Sequence, residues 1–295
     1  MKQVPHVLHL VNSFKQGGSE QQAVQLIRLL HETGRYRIFV AVQNGVGPLR
    51  HEIENLPPSE LVEFPLSSFH DRKAIGQWRR FRRYVREHRI DIVQTHDFYT
   101  NIFGLFGAAI SGVPVRVASR RETTGTRSRA QKLVERASFR FADAIVANSE
   151  AVRTQLVREG IRQQKISVIY NGVDVRSMTV EPGFDRARAL TRLHLPVSPQ
   201  FQFVTLLANM RLKVKDHPMF LRAAKAVAET LPDARFVLAG EGELTDALRT
   251  AAREMGIADK VCFVGECSRV VELLAVSDVC VLSSKAEGLS NSILE

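Results

Sequence analysis

Short apolar runs alternate with stretches of helical periodicity along most of the chain. The runs have the length of buried strands, and the stretches between them repeat apolar residues every three or four positions, as at Ala23, Ile27 and Leu30. The first part of the chain contains the runs HVLHLV, RIFVAV, LVEF, DIVQTH, VRVASR, AIVANS and ISVIY. This alternation predicts a parallel sheet covered by helices on both faces.

The pattern lapses after Asn171 and Gly172, a turn signal, into a stretch with three prolines and no strand run. A second alternating series follows, with the runs FQFVTLLA, RFVLAG, VCFVG and VCVLSS and helical patterns near 217–231, 243–256 and 268–276. The sequence therefore predicts an α/β protein of two Rossmann-like, doubly wound domains, residues 1–172 and 173–295. Loops after the strands are where chemistry is expected, because ligands bind at the carboxyl ends of such strands.

The positive charge is concentrated in the first predicted domain. The chain carries a net charge of +10. Residues 1–172 hold 26 Lys and Arg against 15 Asp and Glu (+11), and residues 173–295 hold 15 against 16 (−1). A basic surface indicates nucleic acid, an anionic membrane or an acidic substrate, or serves solubility alone. No nucleic-acid reading motif accompanies the arginines, so nucleic acid is not a predicted partner.

One basic segment, DRKAIGQWRRFRRYVREHRI, reads as an amphipathic helix. Ile75, Trp78, Phe81 and Val85 form an apolar stripe that we expect to pack on the sheet. Basic residues crowd the remaining surface: Arg72, Lys73, Arg79, Arg80, Arg82, Arg83, Arg86 and Arg89. They predict peripheral contact with an anionic membrane, and the alternative is a solvated arginine face.

The cysteines and the apolar segments indicate the cellular compartment of the protein. Cys262, Cys267 and Cys280 match no metal-ligand spacing and are too few for a disulfide framework, so we expect buried thiols in a reducing cytoplasm. The N-terminus lacks the features of a signal peptide, and the apolar stretch 101–115 is too short to span a bilayer. The predicted location is cytoplasmic, peripheral at the inner face of the cytoplasmic membrane if the arginines bind lipid.

The segment NSFKQGGSEQQAVQL follows the first strand and opens a helix. Gly17 and Gly18 let the backbone approach a ligand, and free amides at a helix start favour a phosphate. An ordinary turn explains the same letters, with Ser19 as N-cap and Gln22 at capping-box spacing.

Three further strand ends carry candidate chemistry. Arg211 and Lys215 lie between the strand FQFVTLLA and a helix, where two cations suit a diphosphate, although solvated surface charge explains them equally. His96 ends the strand DIVQTH, and its alternative is a hydrogen-bonded structural histidine. GEGELT lacks the third glycine of the dinucleotide motif, which argues against a nicotinamide dehydrogenase.

The final segment, EGLSNSILE, follows the last strand. Glu287 lies in the loop, Gly288 permits close approach of the backbone, and Ser290 or Asn291 can cap a helix that carries Glu295. Alternatively, Ser292 and Glu295 form a capping box, and Glu295 then serves only the helix.

Taken in order, these motifs resemble glycosyltransferase family 4, the retaining enzymes of the GT-B fold with two Rossmann-like domains. The resemblance covers essentially the whole chain and rests on GGSEQQAVQL, DIVQTH, AIVANSEAVRTQLVREGI, VIYNGVD, RLKVKDH, VLAGEGEL, CFVGE and EGLSNSILE. It implies transfer of a sugar from a nucleoside diphosphate sugar to an acceptor hydroxyl in polysaccharide or lipid-linked glycan synthesis. The donor would bind in the second domain and the acceptor on the side of the first.

The resemblance also implies roles for single residues. Glu287 contacts sugar hydroxyls beside the reacting carbon, and His96 reaches the transferred sugar. The other implied donor-binding residues are Arg211 and Lys215 on the diphosphate, Gly18 beside it, the backbone of Gly288, Leu289 and Ser290, and Glu295 on the ribose. Because family members continue beyond this second glutamate, we expect a second domain truncated at its C-terminus.

No Asp-x-Asp pair occurs in the sequence, so we expect neither a metal ion nor another cofactor, with the nucleotide sugar as substrate. Two alternatives stay open at this point: a nucleotide-sugar epimerase, which shares the architecture, and a non-catalytic nucleotide-sugar-binding protein.

Overall fold

A computed structural model describes residues 4–15, 17–56, 61–66, 72–123, 127–211 and 213–295, without the side chains of Arg72 and Lys73. The chain divides into two units, Met1–Gly172 and Val173–Glu295. Each unit is a parallel sheet with helices.

Within the described residues, the first unit has a seven-stranded parallel sheet in the order β3-β2-β1-β4-β5-β6-β7. Its strands are β1 (His6–Ser13), β2 (Arg37–Asn44), β3 (Val62–Glu63), β4 (Ile92–Thr95), β5 (Val115–Arg120), β6 (Ala144–Ala147) and β7 (Ile166–Val168). The strand order reverses direction between β1 and β4, and in open α/β sheets the carboxyl ends at such a point are the usual place for a ligand.

Helices of the first unit alternate with its strands. They are α1 (Gly18–Glu32), α2 (His51–Glu54), α3 (Arg72–Glu87), α4 (Phe98–Ser111), α5 (Arg129–Ser138) and α6 (Glu150–Arg158). Successive residues of β1 enter opposite cores: Leu8 and Leu10 pack in one cluster, and Val7 and Val11 in another. Both faces of the sheet are therefore buried, which explains why its strands read as continuous apolar runs.

The second unit repeats the plan with a smaller sheet, which in the described residues has the order β10-β9-β8-β11. The strands are β8 (Gln202–Leu207), β9 (Ala234–Ala239), β10 (Val261–Gly265) and β11 (Val279–Cys280). The helices are α7 (Arg186–Arg192), α8 (His217–Thr230), α9 (Thr245–Glu254), α10 (Val270–Val276) and α11 (Asn291–Leu294). The predicted runs thus correspond to β1–β11, and the predicted α/β class is confirmed.

The apolar stripe of α3 differs from the prediction in one residue. Phe81 and Val85 are buried and Trp78 packs beside them, but Ile75 is 50% exposed. At 3.6 residues per turn, Ile75 lies about 120° around the helix from Phe81, whereas Ala74 lies almost in line with it and is buried. The stripe covers the sheet as expected, with Ile75 outside it.

The prediction of buried thiols is wrong. Cys280 is exposed, Cys262 and Cys267 are partly exposed, and all three are free.

The described helices include none whose length and apolar character would let it cross a bilayer.

Candidate functional site

The carboxyl edge of the second sheet brings two predicted residues together. Because β8 and β11 are neighbours in this sheet, the segments that follow them run side by side. Lys215 ends a 3₁₀ turn after β8, Glu287 lies in the loop after β11, and Lys215 Nζ is 2.6 Å from Glu287 Oε1. About a quarter of each side chain is exposed, so this ion pair is accessible to a ligand.

Main-chain contacts hold these two segments in register. Ser283 Oγ donates to the Lys215 carbonyl at 2.7 Å, and the Lys285 amide donates to the Val214 carbonyl at 2.9 Å. Lys285 Nζ also lies 3.3 Å from Asp216 Oδ2. The position of Lys215 is therefore fixed by backbone as well as by Glu287.

The glycines of GEGELT have a packing role in this edge. Gly240 has a φ of 137°, and a β-carbon there would meet the Ala208 carbonyl. A β-carbon at Gly242 would likewise meet the carbonyl of Met210, whose amide donates to the Glu241 carbonyl at 3.0 Å. The two glycines let the loops after β8 and β9 touch, which accounts for a partial likeness to a dinucleotide motif without a third glycine.

Apart from Gly18, which lies in the first unit, the remaining predicted donor residues lie in the same unit. Ser290 is buried and occupies the predicted N-cap position of α11, but its Oγ lies 2.8 Å from Ser292 Oγ and accepts no hydrogen bond from a helix amide. Since α11 begins at Asn291, the alternative in which Ser292 caps a helix bearing Glu295 is wrong. Glu295 follows the helix, and burial raises the pKa of its carboxyl.

Three further predicted donor residues belong to the second unit. Gly288 and Leu289 follow Glu287 directly and are half-buried, whereas Arg211 is exposed. Among the described residues, no ion pair joins Arg211 to Glu287 or Glu295. The predicted contacts of these residues with a donor stay predictions.

In the first unit, the loop before α1 is built differently from the ordinary turn considered above. Helix α1 begins at Gly18 with Gly17 as its N-cap, so Ser19 is not the cap. The Gln22 amide instead binds Gly172, donating to its carbonyl at 2.8 Å and accepting from its amide at 3.0 Å. The Glu20 carboxylate occupies the place that a β-carbon of Gly17 would need.

His96 follows β4 directly and is 1% exposed. Its Nε2 is 3.0 Å from Nδ1 of His9, a fully buried residue of β1, and the two rings are stacked. Burial lowers the pKa of His9 to about 4 and that of His96 well below its usual value, so both rings are neutral at neutral pH. One ring must donate and the other accept, which couples their tautomers.

His9 is a residue that the sequence analysis did not single out. The signal available was a polar residue within an otherwise apolar strand, HVLHLV, but its partner lies 87 positions away. Beside the pair, Asp97 caps α4 by accepting hydrogen bonds from the amides of Tyr99 and Thr100, at 2.9 and 3.1 Å. Burial raises the pKa of this carboxyl to about 6.

The described residues contain no evident metal site. Across the described ranges, no three His, Cys, Asp or Glu side chains cluster as a metal site would require. Independence from metal remains a prediction from the sequence.

Two family models and several relatives match the chain. Residues 16–177 match Glycosyltransferase Family 4, and residues 202–295 match Glycosyl transferases group 1. EpsF of Bacillus subtilis, named a glycosyltransferase, is 26% identical over 98% of this chain and 76% of its own length. The UDP-Gal:α-D-GlcNAc-diphosphoundecaprenol α-1,3-galactosyltransferase of Escherichia coli is 29% identical over 72% of this chain and 56% of its own length.

A solved structure supports the same assignment at the level of the fold. HepE of Anabaena, in complex with UDP-glucose, aligns with a TM-score of 0.78 and 19% identity over 95% of this chain and 74% of its own. Both relatives carry the name of a glycosyltransferase, so neither the epimerase nor the non-catalytic alternative gains support. Since the family 4 match alone spans more than half of the residues, the chain is a glycosyltransferase of the GT-B fold and belongs to glycosyltransferase family 4.

Proposed function

We propose that this glycosyltransferase uses a UDP-sugar and transfers the sugar with retention to a hydroxyl of a glycan or lipid-linked acceptor. The observation that carries the proposal is the ion pair of Lys215 and Glu287 at the carboxyl edge of the second sheet. A cation and a carboxylate this close together support a site in which both contact the same ligand. The choice of UDP is supported by the E. coli relative, named for UDP-Gal, and by HepE, solved with UDP-glucose.

The two side chains suit different parts of such a donor. The ammonium group of Lys215 would neutralise the diphosphate and stabilise it as the leaving group, the role that fixed cations play in group transfer. The carboxylate of Glu287 would accept hydrogen bonds from sugar hydroxyls and orient the anomeric carbon. Glu287 meanwhile holds Lys215 in place before the donor arrives, so the diphosphate competes with Glu287 for the cation.

Replacing Lys215 with alanine is expected to weaken binding of UDP about 10- to 100-fold, because a hydrogen bond to a charged group contributes about 1.5–3 kcal/mol. Isothermal titration with UDP measures the change. The titration is run with EDTA present, so that binding also tests the predicted independence from metal.

Lys213→Ala is the matched control. Lys213 begins the same 3₁₀ turn, is exposed, and forms no ion pair with a described residue. Its loss removes the same charge and should change the affinity for UDP less than threefold. If both substitutions weakened UDP binding equally, Lys215 would contribute only positive charge and no specific contact with the diphosphate. Loss of UDP binding in EDTA would contradict the predicted independence from metal.

For the first unit, we propose a location in the cytoplasm with peripheral contact through α3 to an anionic membrane. Arg79, Arg82, Arg83 and Arg86 are exposed, and none forms an ion pair within the described part of the chain. Arg80 differs because it donates to the Glu63 carbonyl at 2.9 Å and lies over the Phe64 ring. The four arginines supply an unneutralised basic surface that suits a lipid-linked acceptor.

Changing Arg79, Arg82 and Arg83 together to glutamine is expected to weaken binding to phosphatidylglycerol-containing vesicles about 100-fold. Each arginine near an anionic surface contributes about 1 kcal/mol, and screening by salt should weaken binding of the parent chain. Co-sedimentation with vesicles measures both effects.

A control variant removes equal charge from the second unit, at the exposed residues Arg222, Lys225 and Arg253. It should bind vesicles like the parent chain. Equal binding of the parent to neutral phosphatidylcholine vesicles, or no binding at low salt, would refute the proposal.

A further inference from the structure

Two consecutive arginines at the end of β5 have opposite surroundings. Arg120 is 2% exposed and is neutralised by carboxylates: its Nη2 donates to Glu159 Oε1 at 3.0 Å, and Glu135 lies 3.7 Å away. Arg121 donates only one side-chain hydrogen bond to a described residue, from Nη1 to the amide oxygen of Asn171 at 3.0 Å. Its Nε is buried and has no partner among the described residues.

The charge of Arg121 is therefore poorly compensated by the described protein. Burial lowers the pKa of its guanidinium to about 10, and the carboxylate that opposes this shift is Glu20. Glu20 forms no ion pair with Arg121, and burial raises the pKa of Glu20 itself. Arg121 is half-buried and forms no ion pair with a carboxylate among the described residues. Since a desolvated charge without an opposite charge beside it costs free energy, we expect this arginine to add little to the stability of the protein.

The surroundings of Arg121 hold it at the edge where ligands bind. Asn148, directly after β6, donates from Nδ2 to the Arg121 carbonyl at 3.2 Å, and Asn171 follows β7. The Oδ1 of Asn148 is buried without a partner in the described structure. The carboxyl ends of three adjacent strands thus fix the backbone and one nitrogen of Arg121.

One edge of the Arg121 guanidinium makes no hydrogen bond to a described residue. Nε and Nη2 point their hydrogens in the same direction, and neither donates to a described residue. This is the edge with which arginine binds two oxygens of a phosphate at once.

We propose that Arg121 binds a phosphate of the acceptor, so that the first unit recognises a sugar acceptor carried on a phosphate or diphosphate ester. The proposal rests on the glycosyl transfer proposed above and specifies the acceptor of that reaction. It agrees with the E. coli relative, which is named for a diphosphoundecaprenol-linked acceptor.

The first test measures binding alone. Inorganic pyrophosphate is titrated into the whole chain with saturating UDP present, so that the second unit is occupied. The parent chain should bind pyrophosphate, Arg121→Gln should bind it at least tenfold more weakly, and Arg121→Lys should fall between them. Arg158→Gln, a matched loss of charge at an exposed residue of α6, should bind within twofold of the parent.

Thermal unfolding separates a ligand-binding role from a structural one. Without ligand, Arg121→Gln should melt at the same temperature as the parent or higher, because it removes a buried charge without a carboxylate partner. A marked fall in melting temperature would mean that Arg121 stabilises the fold. That result, or equal binding of pyrophosphate by the parent and Arg121→Gln, would overturn the proposal, as would complete displacement of pyrophosphate by UDP.

A transfer assay then distinguishes an ester acceptor from free phosphate. Two acceptors carry the same sugar, one on a short prenyl diphosphate and the other on an uncharged alkyl chain. Arg121→Gln should raise KM for the diphosphate acceptor at least tenfold while KM for the UDP-sugar and for the uncharged acceptor stays constant. An equal loss with both acceptors would contradict the proposal. Absence of transfer to either by the parent chain would instead count against the glycosyl transfer, and the pyrophosphate titration still decides the role of Arg121.

Discussion

Glu287→Gln is expected to lower the rate of sugar transfer about 10²- to 10³-fold without weakening the binding of UDP. The loss is of the size found when one group that stabilises a transition state is removed. Binding of UDP should stay equal or become tighter, because Lys215, now 2.6 Å from the Glu287 carboxylate, would be released toward the diphosphate. Steady-state kinetics with a UDP-sugar and calorimetry with UDP measure the two quantities on the same sample.

The opposite response of the two partners makes the test specific. Lys215→Ala should weaken UDP binding, whereas Glu287→Gln should spare it, although the same ion pair is broken in both. Glu254→Gln, at an exposed residue of α9, is the matched control and should leave both quantities unchanged. Near-normal transfer by Glu287→Gln would refute its role, and parallel loss of UDP binding would show that the pair merely shapes the loop.

Arg120→Met is expected to lower the free energy of unfolding of the first unit by about 3–5 kcal/mol, the cost of removing one partner from a buried ion pair. The guanidinium lies between α5 and α6, where it joins Glu135 and Glu159. Glu135 is 1% exposed and would keep only Arg127 as a partner among the described residues. Urea denaturation followed by tryptophan fluorescence reports this unit, because Trp78 is the one tryptophan of the chain and packs on Phe103.

Arg116→Gln provides the comparison on the same strand. Arg116 pairs with Asp143, and 25% and 44% of the two side chains are exposed. An exposed pair contributes about 1 kcal/mol or less, so this variant should unfold close to the parent. Equal destabilisation by the two substitutions would mean that burial does not decide the strength of these pairs.

The arrangement of strands and helices could be predicted because it is encoded locally. Strands buried on both faces must be apolar throughout, and the helices that cover them must repeat apolar residues about every 3.6 positions. The apolar runs of the sequence therefore predict the strands β1–β11. Helix starts were less predictable. The letters GGSEQQ suit Ser19 as N-cap with Gln22 completing a capping box. In the structure Gly17 is the N-cap, and the Gln22 side chain binds Gly172, 150 positions away.

The sequence by itself determined the fold class, the strand ends that carry polar chemistry, and the identity of Lys215 and Glu287 as candidates. Only the tertiary structure decided which residues meet: Lys215 with Glu287 across 72 positions, and His9 with His96 across 87. The tertiary structure also gives the two consecutive arginines different surroundings: Arg120 is paired with carboxylates, and Arg121 is not. The sequence alone does not distinguish them. Periodicity reports whether a residue is buried, but the pairing of a charge depends on chain segments that approach through space, and no local pattern contains their positions.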